Sequence, residues 1–235
     1  MSRRKNEQSP LLQIERELTL GENAYAQLKQ VLINGMMGPG ERITVRGIAS
    51  ALGVSITPAR EAITKLVSEG ALVAVGPKTI VVPALTAEVL DEVTSLRLAL
   101  EPNAARIGAA KEGKRSLAFL RSTQKALKAA MARKDYREAL KRNHDFHFEL
   151  YEAAGLPMTL SFIESLWMKI GPSLNLLYPD FAVHHGGLSN HADIISAISS
   201  GDSATVEGTI RKDIEMGYES LNNYVANTET ISLRR

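Results

Sequence analysis

Two histidines, an aspartate and an asparagine interrupt apolar helical stripes in the second half of this chain. They are the side chains with the most chemistry to offer. Between positions 140 and 154, Leu140, Asn143, His147, Leu150 or Tyr151, and Ala154 share one face. Asn143 and His147 are four residues apart, so both can point at one atom. His191 lies on the face of Ile194, Ile195 and Ile198, and Asp213 on a stripe with Val206, Ile210, Gly217 and Leu221. A carboxylate on such a stripe is costly unless it meets a cation or hydrogen-bond donors. Two imidazoles and one carboxylate suit zinc, nickel, manganese or iron better than magnesium. The alternative is a metal-free pocket in which Asp213 and the histidines bond to one another or to a ligand. Arg97, beside Val93, Leu96 and Leu100 at the edge of an inner face, can clamp an organic carboxylate or pair with Glu101 four residues on. Tyr151, Trp167 and Tyr178 can line the same pocket, with plain core packing as their other role. His144 is off the stripe and His184 and His185 adjoin Gly186 and Gly187, so these three are expected to be solvated.

These residues need helices to position them. Thr86 can cap a first helix with Val89, Val93, Leu96, Leu100, Ala104 and Ile107 inward and Pro102 bending it. A second helix spans about 116–133 with Leu117, Leu120, Leu127 and Met131 inward, and a third spans 135–154. After the break at Gly155-Leu156-Pro157, a fourth passes through Leu166 and Ile170 until Pro172 or Pro179 interrupts it. A fifth begins at Ser189 or Asn190 and closes at Gly201-Asp202, and a sixth covers about 204–225. Six amphipathic helices with short connections make a bundle.

The first third reads differently. A helix from about Glu22 to Met36 carries Ala24, Leu28, Val31 and Leu32 on one face and stops at Gly38-Pro39-Gly40. Ile48, Ala49 and Leu52 mark a short helix that Gly53 can end in the left-handed conformation. Ser55 or Thr57 can cap the next helix and Pro58 fits its first turn. Ala59, Ile63 and Leu66 then face the core and Arg60, Thr64 and Lys65 face outward, so that this helix can enter a major groove. Leu72–Val75 and Thr79–Val82, parted by Gly76-Pro77-Lys78, form a hairpin with a basic tip. Three helices plus a hairpin make a winged helix, although a helical pair with no nucleic-acid partner shares the same turn signals.

Three segments resemble the GntR family of bacterial winged-helix regulators. They are Pro39-Gly40-Glu41-Arg42-Ile43, Ile48-Ala49 with Leu52-Gly53-Val54-Ser55, and Thr57-Pro58-Ala59-Arg60-Glu61-Ala62-Ile63 followed by Leu66 and Glu69-Gly70. The resemblance implies a dimer that reads a short palindrome with the recognition helix and wing. It carries DNA contact over to Arg46, Ser55, Thr57, Arg60 and the wing at Gly76; Lys65 and Lys78 add charge on the same elements. Ile56 stands where the family usually has Arg, and Ile makes no charged phosphate or guanine contact. The second half resembles the all-helical FCD effector domain of the FadR-like branch. The matching residues are Leu96-Arg97 with Leu100-Glu101, then Asn143 with Phe146-His147, Leu150, Ala153 and Gly155, then His191 with Ile194, Ala197-Ile198 and Gly201-Asp202. Many members of that branch bind a divalent metal through Asp or Asn followed by three His. The resemblance therefore implies Asn143, His147 and His191 as ligands, with Asp213 standing where the third His is expected.

Length and composition agree with two domains. The 235 residues are 44% hydrophobic, enough to bury a core in each. A net charge of +2 sets up no global attraction for nucleic acid, but residues 1–83 hold ten basic and seven acidic residues, against 18 and 19 in the rest. The absence of cysteine excludes disulfides and thiolate metal sites. No run is long and apolar enough for a membrane span or a signal peptide, so a cytoplasmic protein is expected. The expected division is a mobile arm over 1–20, a winged helix over 21–83, a helical effector domain over 84–227 and a polar, fraying tail over 228–235. The expected function is a dimeric, ligand-responsive repressor whose effector is a small organic acid bound near a divalent metal. One alternative is the same regulator with a metal-free pocket for an acyl chain. Another is a metal hydrolase using His147, His191 and Asp213, against which no Glu stands beside the ligands as a base.

Overall fold

The computed structural model describes residues 18–177 and 186–232. The expected arm up to residue 17, together with Tyr178, His184 and His185, lies outside the described residues. The fold is mainly helical, a winged helix followed by a helical bundle.

Helix α1 (Leu20–Ile33) opens with a capping box, in which the Thr19 hydroxyl accepts from the Glu22 N–H at 3.1 Å and the Glu22 carboxylate from the Thr19 N–H at 2.8 Å. It starts two residues earlier and ends three residues earlier than its apolar pattern suggests. Helix α2 (Val45–Leu52) is capped by Thr44 and closed by Gly53 at φ 65°, the left-handed turn expected there. Helix α3 (Ile56–Ser68) buries Ala59, Ala62, Ile63 and Leu66 against α1 and α2. Ser55 occupies its N-cap position without a side-chain cap bond. The expected hairpin forms as β2 (Val73–Ala74) and β3 (Ile80–Val81), each shorter than anticipated. A strand absent from the sequence reading, β1 (Arg42–Ile43), pairs antiparallel with β3 on its other side, giving the order β1-β3-β2. Two residues are too few to show a period of two, so β1 had no signal to read.

The main departure lies in the bundle. The two helices anticipated over 86–107 and 116–133 are one continuous 46-residue helix, α4 (Ala87–Ala132), with Pro102 inside it. Gly108 and Gly113 do not break it, because each lets a neighbour approach. A Cβ at Gly108 would run into the Leu150 carbonyl oxygen, and one at Gly113 would stand 2.9 Å from the Ile198 side chain. The inner stripe is also rotated: Leu90, Val93, Thr94, Arg97 and Glu101 are buried, whereas Val89 and Leu96 are 38% and 45% exposed.

Helices α5 (Tyr136–Ala153), α6 (Pro157–Leu174), α7 (Gly186–Ser200) and α8 (Ser203–Ser232) complete the bundle, with a short 3-10 turn at Asn175–Leu177. Pro172 is accommodated inside α6 rather than ending it. Helix α7 starts three residues before Ser189, and α8 runs through Val225 to Ser232, where a frayed tail was expected. Among the described residues no helix is long and apolar enough to cross a membrane.

Candidate functional site

Helices α4, α5, α7 and α8 each contribute to one polar cluster in the bundle core. His147 and Asn143 come from α5, His191 from α7 and Asp213 from α8. His147 Nε2 lies 3.2 Å from His191 Nε2 and 3.3 Å from an Asp213 carboxylate oxygen. One ligand atom from each of the three lies within 4.8 Å of the others. Asn143, the fourth residue anticipated, lines the same small cavity of about 50 Å³ beside His147 and Asp213.

The hydrogen-bond network assigns the histidine tautomers. Gln124 donates its amide N–H to the Leu188 carbonyl at 2.9 Å, which turns its oxygen toward His191 Nδ1, also at 2.9 Å. That oxygen can only accept, so His191 Nδ1 carries the proton and Nε2 presents a lone pair. The Tyr151 hydroxyl gives its single proton to Glu101 at 2.8 Å, leaving its oxygen to accept from His147 Nδ1 at 3.4 Å. His147 Nε2 is then also a lone pair. Two imidazole lone pairs and a carboxylate converging on one point repel unless a cation lies among them, so this donor set fits a divalent transition metal. Phe146 stacks on His191, centroids 3.8 Å apart and nearly parallel, and fixes its plane.

Protonation states agree. Burial, reinforced by His147, pushes the His191 imidazolium down to about 3, so His191 is neutral near pH 7. Burial works to raise the Asp213 carboxyl, but the facing imidazoles of His147 and His191 and the Asn190 amide N–H (2.9 Å away) outweigh it and hold the carboxyl below its ordinary value. Asp213 is thus an anion.

Arg97 is not at an edge. It is buried, and Glu101 receives its Nε at 2.7 Å and its Nη2 at 3.3 Å. Burial opposes charge on the guanidinium, yet the adjacent Glu101 carboxylate holds its pKa above the ordinary value. Glu101 is itself 0% exposed and accepts two further bonds, from the Tyr151 hydroxyl and from Trp167 Nε1 at 2.9 Å. Of the two roles weighed for Arg97 the ion pair with Glu101 is the one formed here, and the side chain also lines the cavity with Trp167. Tyr151 is packed and hydrogen-bonded in the core rather than lining the cavity, and Tyr178 lies outside the described residues. His144, expected in solvent, is buried in the stack of Phe148 and against the edge of Trp167. Its face of α5 is covered by α6, which a single-helix stripe could not reveal.

The sequence reading passed over Glu101 as more than a partner for Arg97, and it passed over Gln124 and Asn190. A signal for Gln124 existed, because it interrupts the stripe Leu117, Leu120, Leu127 as a lone polar residue. Asn190 carried none.

On the other domain Arg46, Ser55, Thr57, Arg60, Lys65 and Lys78 are all exposed, as is Ile56. Ser55, Thr57 and Arg60 lie at the N-terminal half of α3. The Lys65 ammonium sits 3.8 Å above the Tyr25 ring and is held toward α1.

The two domains meet through α1 and α6. Lys29 pairs with Glu164 at 2.5 Å, Lys169 donates to the Glu69 carbonyl at 3.2 Å, and the Asn175 amide donates to the Gly35 carbonyl. A Cβ at Gly171 would stand 2.5 Å from the carbonyl oxygens of Leu32 and Ile33, so the helices touch backbone to backbone.

Comparison with known proteins follows this division. The family model described as "Bacterial regulatory proteins, gntR family" matches residues 20–82, and that described as "FCD domain" matches 92–216. The HTH-type transcriptional regulator McbR of Escherichia coli (strain K12) is 31% identical over 179 residues, 74% of this chain and 80% of McbR. The Nta operon transcriptional regulator of Aminobacter aminovorans is 34% identical over 132 residues, 56% of this chain and 62% of that protein. The structure of E. coli McbR/YncC superposes with a TM-score of 0.81 at 26% identity, covering 88% of this chain and 99% of that one. A putative transcriptional regulator GntR from Rhodococcus sp. RHA1 shares the fold, with a TM-score of 0.70 at 18% identity over 86% of this chain and 96% of that one.

Proposed function

The chain belongs to the GntR family of bacterial regulatory proteins, in the branch with an FCD domain, and we propose that it is an effector-responsive repressor. It is a transcription regulator and not an enzyme, as its relatives are regulators, so the hydrolase reading is set aside. In the proposal a winged helix over 21–83 binds a palindromic operator as a homodimer, and a domain over 84–227 binds a small organic acid beside a divalent metal.

One observation carries this reading: His147, His191, Asp213 and Arg97 converge at the bundle core, against the helix that also grips the DNA-binding domain. His147, His191 and Asp213 would hold the metal, with Asn143 facing the same cavity. A bound divalent ion supplies a Lewis-acidic positive charge for a carboxylate. The protein's own residues do the rest. Gln124 and Tyr151 fix the tautomers, Glu101 fixes Arg97, and Trp167 ties Glu101 to α6. An effector that alters the seat of Trp167 acts on α6, through Glu164 and Gly171 on α1 and through Lys169 on the C-terminal end of α3. A ligand shifts the domain arrangement only by its differential affinity for the two states.

Elemental analysis of metal-reconstituted protein tests the centre. One divalent ion per chain is expected in the wild type and none in Asp213→Ala with its fold retained. Equal metal in both, or none in either, would overturn the centre. The DNA assignment is tested by Arg60→Ala on an operator selected from random duplexes. Loss of one base contact costs about 1–3 kcal/mol, so affinity should fall roughly 5- to 150-fold with metal content unchanged. Wild-type affinity would remove Arg60 from the interface.

A further inference from the structure

Helix α3 carries one large apolar side chain in solvent. Ile56, its first residue, is 42% exposed, whereas Ala59, Ala62, Ile63 and Leu66 are all buried. A single exposed apolar residue is ordinary on a protein surface. The place and the neighbours of Ile56 set it apart. The first residues of a recognition helix are those that reach base edges in the major groove. Ser55 and Thr57 flank it and Arg60 stands one turn on, all exposed and all able to donate hydrogen bonds. Ser55 holds the N-cap position but makes no side-chain cap bond. One of the two N–H groups that a cap hydroxyl can reach is missing, because the third helical residue is Pro58. The start of α3 thus presents polar donors, one of them a hydroxyl not spent on the helix, around a branched hydrocarbon.

Chemistry narrows what that hydrocarbon can meet. In the major groove the edges of guanine, adenine and cytosine are hydrogen-bond donors and acceptors. An aliphatic side chain pressed against them removes water and returns no bond. Thymine alone offers an apolar group there, its 5-methyl. Ile is also stiff. Branching at Cβ leaves one strongly preferred χ1 in a helix, so holding the side chain against a methyl group costs little entropy.

We propose that Ile56 reads the 5-methyl group of one thymine in each operator half-site, with Ser55, Thr57 and Arg60 making the polar contacts around it. This assignment rests on α3 being the recognition helix, as given above.

Replacing thymine by uracil removes that methyl and nothing else, so it isolates the contact. The full chain is titrated, at one fixed salt concentration, against an operator selected from random duplexes. Each symmetry-related pair of thymines is changed to uracil in turn. One pair is expected to lower wild-type affinity about fourfold per half-site, roughly 16-fold in all, as for losing one buried methyl-sized group from each. Ile56→Ala should bind the thymine and uracil duplexes equally at that pair. Arg60→Ala, run in parallel, tests the placement of α3 itself. If no thymine pair matters to the wild type, or if Ile56→Ala still discriminates at the pair that does, the assignment is overturned. If neither Ile56→Ala nor Arg60→Ala changes affinity for the selected operator, α3 is not the reading helix, and the assignment falls with that reading.

Discussion

Glu101→Ala is expected to be the most destabilising single substitution in the effector domain. Its carboxylate is fully buried and accepts from Arg97 twice, from Tyr151 and from Trp167. Truncation leaves a buried guanidinium uncompensated, which typically costs about 3–5 kcal/mol. It also strands a hydroxyl and an indole N–H, each worth about 1–3 kcal/mol when left unpaired. Against a total stability of about 5–15 kcal/mol, the variant should be close to unfolding at 37 °C. Urea denaturation monitored by circular dichroism measures this. Glu101→Gln should lose less, since it preserves shape and one acceptor. The exposed Glu112–Arg115 pair serves as control, because solvent screens it and Glu112→Ala should shift the midpoint little. A Glu101→Ala midpoint as near the wild type as the control would show that the network stabilises nothing.

Gly171→Val is expected to disconnect the two domains while leaving each able to bind. The new side chain would press into the carbonyl oxygens of Leu32 and Ile33, and the α1–α6 joint has no slack there because both sides are backbone. Allosteric coupling of this kind is worth about 1–3 kcal/mol, a change of roughly 5- to 150-fold in operator affinity between effector-free and effector-bound protein. In Gly171→Val that ratio should fall close to one. Metal stoichiometry and effector affinity should stay at wild-type values, which separates uncoupling from unfolding. Operator titrations with and without saturating effector provide the comparison. A wild-type ratio would place communication elsewhere, with the linker near Pro83 as the next candidate.

Local structure was written in local residues. Gly53 in the left-handed region, the Thr86 cap and the apolar spacing of α3 and α5 each depend on neighbours within one or two turns. The same spacing placed Asn143 and His147 on one face and singled out His191 and Asp213 as polar residues on apolar stripes. That was enough to nominate a polar centre, with a metal site and a metal-free pocket both open to it. It could not say that α4 is one helix, because whether Gly108 ends a helix or admits a neighbour depends on the Leu150 carbonyl 42 positions away. Nor could it see that Glu101 gathers donors from three helices, that Gln124 and Asn190 orient the metal-ligating candidates, or that α6 seats the DNA-binding domain. Those facts come from helix packing, which brings residues distant in sequence to hydrogen-bond range. Periodicity and caps tell a segment what to become and which stripe to bury. Only the packed tertiary structure decides which buried polar groups meet, and the cost of leaving any of them alone is what fixes their partners.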